Sequence, residues 1–461
     1  MMAATSIDQI VALSKRRGFF FPSSELYGGL ANAWDFGHYG TLLKNNVRDF
    51  WWKKFVLERQ DMVGLDASIF LNSKVWEASG HVAGFSDALV DCKVCKTRTR
   101  ADHLIEEKLP NMKVEGLPIE ELTKIIREHK LSCPTCGSKD LTDVRKFNLL
   151  FETHLGIVEG EKSKVYLRGE IAQGIFVNFK NVLDTMRVRM PFGIAQQGKA
   201  FRNEITMGQA VHRTIEFDLM EFEYFIHSSQ WEKVFEMWRA TMWEWAMELG
   251  LEEKHLRWRE HEAFERSHYS TKTMDVEYKF PSGWKEMWGI AYRTDFDLTN
   301  HMKFSGKDLS YTDPQTKEHY IPHVVEPTFG LSRLIGILLF DAYHEEEVEG
   351  KKRVVLRLSP RIAPVKVAVF PLQKDEKIRT VARSVFDSLR SFFVSEFDDS
   401  GNIGKMYRRQ DEIGTPFCVT IDYDTLQDKK VTVRDRDTMK QERVEIDRLV
   451  EYFQGKLYKK N

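Results

Sequence analysis

The chain has 461 residues, 42% hydrophobic and 30% charged, with a formal net charge of -1. That length exceeds one ordinary core and implies roughly two to four domains, while the composition excludes a disordered chain and a uniformly basic nucleic-acid binder, leaving local basic patches open. No apolar run reaches the ~18 residues of a membrane span, and five cysteines do not make a disulfide framework, so a cytoplasmic protein is expected.

The first predicted element is a short amphipathic helix on Ile7, Ile10, Val11 and Ser14, with no apolar core of signal-peptide type before it. A second helix spans Thr41–Arg59, with Leu43, Val47, Phe50 or Trp51, and Phe55 on one stripe. Between about residues 85 and 150 two cysteine pairs flank the helical "PIEELTKIIREHK", which reads as a small insertion. From 150 to 330 strand-like runs dominate: "SKVYLRG", "FRNEI", "RTIEFDLMEFEYF", "TMDVEYKF" and "MWGIAYRTDFDL". They are interrupted by the helix "WEKVFEMWRATMWEWAMELG", whose Gly250 suits a C-terminal cap. An apolar helix, "GLSRLIGILLFDAYHEE", precedes a three-proline boundary in "RLSPRIAPVKVAVFPL". The tail then reads strand "VKVAVF", helices "DEKIRTVARSVFDSLRSFF" and "NIGKMYRRQDEIG", strands "PFCVTID" and "KKVTVRDRD", and helix "ERVEIDRLVEYFQGKL", a separate α/β domain.

Two strands carry unusual charge. In "FRNEI" alternation puts Arg202 and Glu204 on one face; in "RTIEFDLMEFE" it groups Arg213, Phe217 and Glu221, with a turn expected at Gly208. One reading is a ladder of cross-strand ion pairs, each worth under ~1 kcal/mol if exposed. The other is a cleft for a ligand of both signs, where arginines clamp phosphate, Phe217 stacks on a purine and Glu221 meets an ammonium. Downstream, "EPTFGLSR" sets Glu326 on a strand end and makes Arg333 the one charge of "GLSRLIGILLF"; burying it requires a bound anion or a core carboxylate. Neither a GxxxxGK[ST] loop nor a GxGxxG turn before a helix is present. Cys92, Cys95, Cys133 and Cys136 form two CxxC pairs that point to structural zinc rather than redox thiols, and four thiolates leave no open catalytic position. His81, His103 and His212 are expected in polar packing or at the substrate, and Cys418 as a buried apolar residue.

"FRNE" with "RTIEF" resembles motif 2 of the class II aminoacyl-tRNA synthetases, "EPTFGLSR" resembles motif 3, and the Thr41–Arg59 helix with "MVGLDASIF" resembles the dimer-forming motif 1. More narrowly, "GFFFPSSELYGGLANAWDFGHYG", "ASGHVAGFSD", "LRGEIAQGIFVNFKNV", "WGIAYRTDFDL" and "YRRQDEIGTPFCVTID" are similar to the homodimeric glycyl-tRNA synthetase family over essentially the whole chain. Departures are "RGEIAQG" for "RPETAQG", Thr328 for a common Ser, which would narrow the pocket slightly, and Ile215-Glu216 for Arg-Glu.

The resemblance implies an α+β class II synthetase catalytic domain, an antiparallel sheet with flanking helices, carrying a zinc-binding insertion and a C-terminal α/β anticodon-binding domain. The expected division is 1–84 and 151–360 catalytic, 85–150 insertion and 361–461 anticodon-binding. It implies glycyl-adenylate formation from glycine and ATP with Mg2+, then transfer to tRNA(Gly) by a cytoplasmic homodimer. Arg202, Glu204 and Arg333 carry over as catalytic. Asn203, His212, Arg213, Thr214, Ile215, Glu216, Phe217, Glu286, Met287, Gly330, Leu331 and Ser332 join them at ATP. Arg100, Glu170, Phe217, Asp218, Leu219, Met220, Glu221, Glu326, Pro327, Thr328, Phe329 and Gly330 carry over to the amino acid. Glu170, Glu221 and Glu326 would surround the ammonium; without a cation they repel, so some should titrate high. Pocket walls, with no editing domain, would exclude alanine. "KMYRRQDEIG" and "KKVTVRDRD" would supply cations to tRNA phosphates and arginines to base edges.

Overall fold

The computed structural model describes residues 2–4, 6–110, 112, 114, 117–156, 163–204, 210–348 and 350–458. Its centre is a seven-stranded sheet in the order Leu256–Glu260, Lys272–Phe280, Gly283–Thr294, His323–Gly330, Glu216–Ile226, Phe192–Phe201, Met62–Gly64. Every pairing is antiparallel except the last, where Met62–Gly64 runs parallel to its neighbour.

Alternation explains the mixed texture of "RTIEFDLMEFE". Met220, Phe222 and Tyr224 point to one face, Glu221, Glu223 and Phe225 to the other. The first face is covered by the helices His38–Trp52 and Trp231–Glu248. There Trp51, Phe55, Trp238, Trp245, Trp288 and Phe329 interlock, with ring centroids 5.1–6.2 Å apart. On the second face the helix Ala172–Met186 buries Ile175, Phe176 and Phe179 against Phe192 and Phe225. The polar residues of that face occupy what this helix leaves open.

A smaller unit holds the strands Ser86–Asp91, Arg98–Arg100 and Arg145–Asn148 and the helices Ala101–Lys108 and Ile119–Glu128. Its own core includes Val90, Leu104, Ile105, Leu122 and Ile126. The C-terminal part is a five-stranded sheet in the order Ser395–Phe397, Val367–Pro371, Phe417–Ile421, Lys430–Asp435, Gln441–Glu445, with parallel pairing among the first three. It packs on the helices Glu376–Leu389 and Leu449–Leu457. No helix among the described residues is long and apolar enough to cross a membrane.

Several elements differ from the expectation. "FRNEI" is not a strand: the strand ends at Phe201, and Arg202–Glu204 leave the ladder with Arg202 N donating to Ile215 O and Asn203 N to Leu149 O. The partner strand starts at Glu216, so Arg213 is not on it. Gly208 and Ile205 lie outside the described residues. The second helix begins at His38 and closes in a π-helical turn, Lys53–Leu57. "DFDL" enters the helix Phe296–Ser305, "YHEE" belongs to the strand Tyr343–Val348, and "ERVE" to the strand Gln441–Glu445. The last two are drawn out of the expected helices by antiparallel pairing, with Lys351–Leu356 and Lys430–Asp435 respectively. Gly250, at φ 89°, ends its helix as expected.

Arginines of the tail also turn inward. Arg353, on the strand Lys351–Leu356, donates from Nε to Asp411 Oδ2 at 2.7 Å, and Arg434 reaches Asp411 Oδ1 at 3.1 Å. Arg436 Nη1 donates to Gly414 O at 2.7 Å, and Arg409 pairs with Asp398. The Arg353, Arg434 and Arg436 guanidinium groups are buried and engaged within the protein, whereas Arg409 is part-exposed and Arg408 and Lys405 are exposed. Arg353, Asp411 and Arg434 are all buried, and Arg353 has a second carboxylate in Glu346, so removing Asp411 strands Arg434 and leaves Arg353 with the Glu346 carboxylate. Asp411→Ala is expected to lower stability by about 3 kcal/mol, measured by denaturant unfolding against the parent chain.

Candidate active site

A cleft of about 220 Å³ opens on the second face of the central sheet. Phe217 and Glu221 share that face four residues apart, which separates the two ends of the cleft by about 13 Å.

At the Phe217 end the cations are loosely held. The Arg202 guanidinium lies between two rings, 5.2 Å from the Phe85 centroid and 5.3 Å from that of Phe217, and its Nε donates to Gly169 O at 3.0 Å. Arg213 Nε pairs with Glu204 Oε2 at 2.7 Å, and Arg333 Nη1 with Glu286 Oε1 at 2.7 Å. Arg333 is not deeply buried as a lone charge on an apolar helix would be: it sits in the first turn of Leu331–Ala342, its side chain 22% exposed. The helix start is anchored where Ser332 Oγ accepts from Asp218 N at 3.0 Å. Burial and the nearby Arg333 and Arg213 hold His212 far below its usual pKa, so its ring is neutral.

The other end is acidic and closed. The register aligns Gln196, Glu221, Thr328 and Gly289 across four adjacent strands. A Cβ at Gly289 would come within 2.8 Å of Asp275 Oδ1, so the cleft floor there is bare backbone. Carboxylate oxygens of Glu221, Glu223 and Glu326 lie within 4.8 Å of one another. Arg293, 1% exposed, stacks 3.8 Å from the Tyr269 centroid. It donates to Asp297 at 2.8 and 2.9 Å and to Glu326 Oε1 at 2.7 Å, with Glu170 3.7 Å away. Glu170 also has His81 Nε2 at 3.2 Å and accepts from Gln173 Nε2 at 2.9 Å.

The three expected carboxylates therefore behave differently. His81 and Arg293 hold Glu170 well below the usual range despite its burial. Burial and neighbouring acids push Glu326 up to about 7 and Glu221 well above its ordinary value. The expectation that some acids titrate high is met at Glu221 and Glu326 and reversed at Glu170.

Of the sequence-derived residues, Glu170, Arg202, Glu204, His212, Arg213, Thr214, Phe217, Asp218, Leu219, Glu221, Glu286, Glu326, Thr328, Gly330, Ser332 and Arg333 line the cleft. The others do not. Met220 and Phe329 are in the tryptophan core because alternation turns them away, Met287 because the strand bulges there, and Leu331 as the first residue of the helix that packs on that core. Pro327 is buried on the same opposite face. Asn203 and Ile215 are tied by backbone hydrogen bonds to Leu149 and Asn32, and Glu216 pairs at the surface with Lys199. Arg100 bridges Asp87 and Asp102 in the smaller unit instead of entering the cleft. Missed from sequence were Arg293, Tyr269, Gln173 and Asp297. The available signal was an arginine inside the apolar strand "WGIAYRTDFDL" with an aspartate four residues on.

Away from the cleft, Cys92, Cys95, Cys133 and Cys136 place their sulfurs within 4.8 Å of one another. The Cys92–Cys136 and Cys95–Cys133 sulfurs are each 3.6 Å apart. Tetrahedral ligands at a Zn–S length of about 2.3 Å would be about 3.8 Å apart, so the four thiols fit one such ion. No histidine joins this group among the described residues, and Cys418 is buried in the C-terminal sheet as expected.

Comparison with known proteins agrees with this organisation. Residues 366–456 match the family described as "Anticodon binding domain". The chain is 55% identical to the glycine-tRNA ligase of Caldanaerobacter subterraneus subsp. tengcongensis over 99% of this chain and 100% of that protein. It is 54% identical to that of Acetivibrio thermocellus, covering 99% of each chain, and 52% identical to that of Geobacillus thermodenitrificans, covering 99% of this chain and 98% of the relative. The chain belongs to the glycine-tRNA ligase family.

In this family member the acidic end depends on Arg293. Arg293→Ala leaves Asp297, Glu326 and Glu170 without their buried cation, an expected loss of about 3–5 kcal/mol. The released carboxylates regain stability by taking up protons, so the deficit should be smaller at pH 5 than at pH 8. Denaturant unfolding of ligand-free protein at the two pH values checks both statements.

Proposed function

We propose that this chain activates glycine with ATP to glycyl-adenylate and transfers the glycyl group to the 3′ end of tRNA(Gly). The observation that carries the reading is one cleft with displaceable arginines and an aromatic ring at one end and buried carboxylates at the other, in a chain of this family. ATP brings phosphates and a purine; glycine brings an ammonium.

Phe217 supports the adenine. Arg202 meets the α-phosphate, and Arg333 the γ-phosphate. The pair of Arg333 with a half-exposed Glu286 costs little to exchange for phosphate, as ion pairs in contact with water are worth about 0–1 kcal/mol. Glu204 keeps Arg213 at the rim. The glycine carboxylate attacks the α-phosphorus, the bond to pyrophosphate breaks, and the mixed anhydride remains. A terminal hydroxyl of the tRNA adenosine then attacks the acyl carbon and AMP leaves. Neither step needs a covalent enzyme intermediate, so catalysis rests on positioning and fixed charge. Magnesium bound with ATP would supply further positive charge to its phosphates.

Glu221 and Glu326, the acids of the cleft wall whose carboxyls are pushed above their ordinary range, receive the ammonium, and Glu170 completes the set through Arg293. Thr328 and the backbone floor at Gly289 limit the space beside the α-carbon. We assign 1–84 and 151–360 to the catalytic domain, 85–150 to a zinc-binding insertion and 361–461 to the anticodon-binding domain. The Thr41–Arg59 segment is assigned to a homodimer contact, and the protein to the cytoplasm.

The decisive experiment is ATP–pyrophosphate exchange with glycine, alanine, serine and threonine. Exchange with glycine alone is expected; exchange with none, or with another of them in preference, overturns the reading. Glu221→Gln should lose at least ~2 kcal/mol in the specificity constant for glycine, because a desolvated ammonium loses a charged partner. ATP binding without glycine should be nearly unchanged, and alanine should remain a poor substrate.

A second expectation concerns the cysteines. Elemental analysis of protein purified without added metal should find one zinc per chain, lost in a Cys92→Ser, Cys95→Ser double variant. Loss of the ion should unfold the insertion locally, because such sites supply folding free energy. Four freely titratable thiols in the parent chain would reject the site.

A further inference from the structure

Glu223 has no place in the chemistry above. It does not line the cleft, it is fully buried, and neither carboxylate oxygen has a hydrogen-bond partner among the described residues. The flanking pairs Glu221↔Thr328 and Tyr224↔Val325 fix the register, which sets Glu223 directly opposite Glu326 on the neighbouring strand. Glu221 lies two residues away on the same face, and oxygens of all three acids fall within 4.8 Å. Two ionised carboxylates facing each other in a sheet interior, with no donor between them, repel strongly. Arg293 relieves this only in part: its hydrogen bonds go to Asp297 and Glu326, and none goes to Glu223.

We propose that Glu223 is a positioning residue that stands as a neutral carboxylic acid behind the cleft, donating its one O–H to the facing Glu326 carboxylate and so letting Glu326 and Glu221 stand side by side facing the ligand. A carboxylic acid kept neutral so that it can donate a hydrogen bond is an established device of low-dielectric sites. Groups facing Glu223 are Glu326 from its neighbouring strand, Glu221 from its own, Arg293 from the strand Gly283–Thr294, and Asp297 from the following helix; acids outnumber the one cation. Burial and these acids hold the Glu223 carboxyl well above its usual range. The sign follows. A group that binds its proton more tightly in the folded state contributes stability below the ordinary carboxylate value and loses it as pH rises towards the folded one.

The kinetic part rests on the cleft being the glycine site; the stability part does not. Glu223→Gln keeps the shape and a neutral donor but has no proton to lose. Ligand-free Glu223→Gln should melt above the parent at pH 8, with the difference closing towards pH 5. Its KM for glycine should stay within about threefold of the parent, whereas Glu223→Ala should raise that KM about tenfold or more with KM for ATP little changed. A Gln variant that melts below the parent at pH 8, or that is as damaging to glycine KM as Ala, overturns the neutral acid. An Ala variant with parental glycine KM overturns the positioning role. If Glu221→Gln also leaves glycine activation intact, the glycine-site reading is what has failed, and the melting comparison still decides the state of Glu223.

Discussion

A carboxylate removed from water must meet a cation, a hydrogen-bond donor or a proton, and the acidic end of the cleft is organised by that requirement. Glu170, Glu221, Glu223, Asp297 and Glu326 are all at least nine-tenths buried within one region, and Arg293 is the cation at their centre. One guanidinium cannot neutralise five acids. It is committed to Asp297 and Glu326 by close hydrogen bonds and reaches Glu170 only at 3.7 Å. Glu170 is completed by His81 and Gln173, so it stays ionised. Glu221 is left without a partner on Oε1. Glu223, behind the cleft wall, has no partner on either oxygen among the described residues, so the deficit lies partly on the wall and partly behind it, and under the proposed function an ammonium at the wall would meet the first part.

That arrangement needs a rigid support, since unpaired acids would otherwise move apart or reach water. The support is the opposite face of the same strands. Between Glu221 and Glu223 the chain places Phe222, and between Glu326 and Thr328 it places Pro327, each pinned on the side away from the cleft. The packed rings of Trp51, Phe55, Trp245, Trp288 and Phe329 fix strand positions to within what close packing allows. Fully burying such side chains contributes roughly 1.5–3 kcal/mol each, enough in sum to offset acids that no donor satisfies. Tryptophan core and acidic cleft are therefore one device, with alternation as the link.

Sequence disclosed the parts of this device that depend on local pattern. Helices with a clear apolar stripe, the paired cysteines and the glycine that ends the Trp231–Glu248 helix could be read because a few neighbouring residues determine them. So could Glu221 and Glu326, whose charge is out of place in apolar strands. Arg293 could not be given a role, although it lies in an equally anomalous position, because beyond Asp297 four residues on its partners Glu170, Tyr269 and Glu326 come from three segments distant in sequence. Glu223 escaped for the same reason: its register with Glu326 exists only once two strands distant in sequence are side by side. Arg100 failed in the other direction. Its likeness to a substrate-contact position said nothing of Asp87 and Asp102, which hold it. The short run Arg202–Glu204 read as strand because its residues alternate, yet it leaves the ladder for backbone partners at Ile215 and Leu149.

The arginines make the same point about energy. Arg293, Arg353, Arg434 and Arg436 are buried and hydrogen-bonded to carboxylates or carbonyls inside the protein. Breaking such a pair exposes an uncompensated charge to a low-dielectric interior, so these groups are unsuited to ligand exchange. Arg213 and Arg333 are part-exposed and paired with acids that water also reaches, and Arg202 rests on two rings with one carbonyl contact. Their partners can be traded for phosphate at small cost. A basic run in the sequence counts both kinds alike. In the folded chain it is the depth of each pair, rather than the number of cations, that separates residues that hold the structure from residues free to hold a substrate.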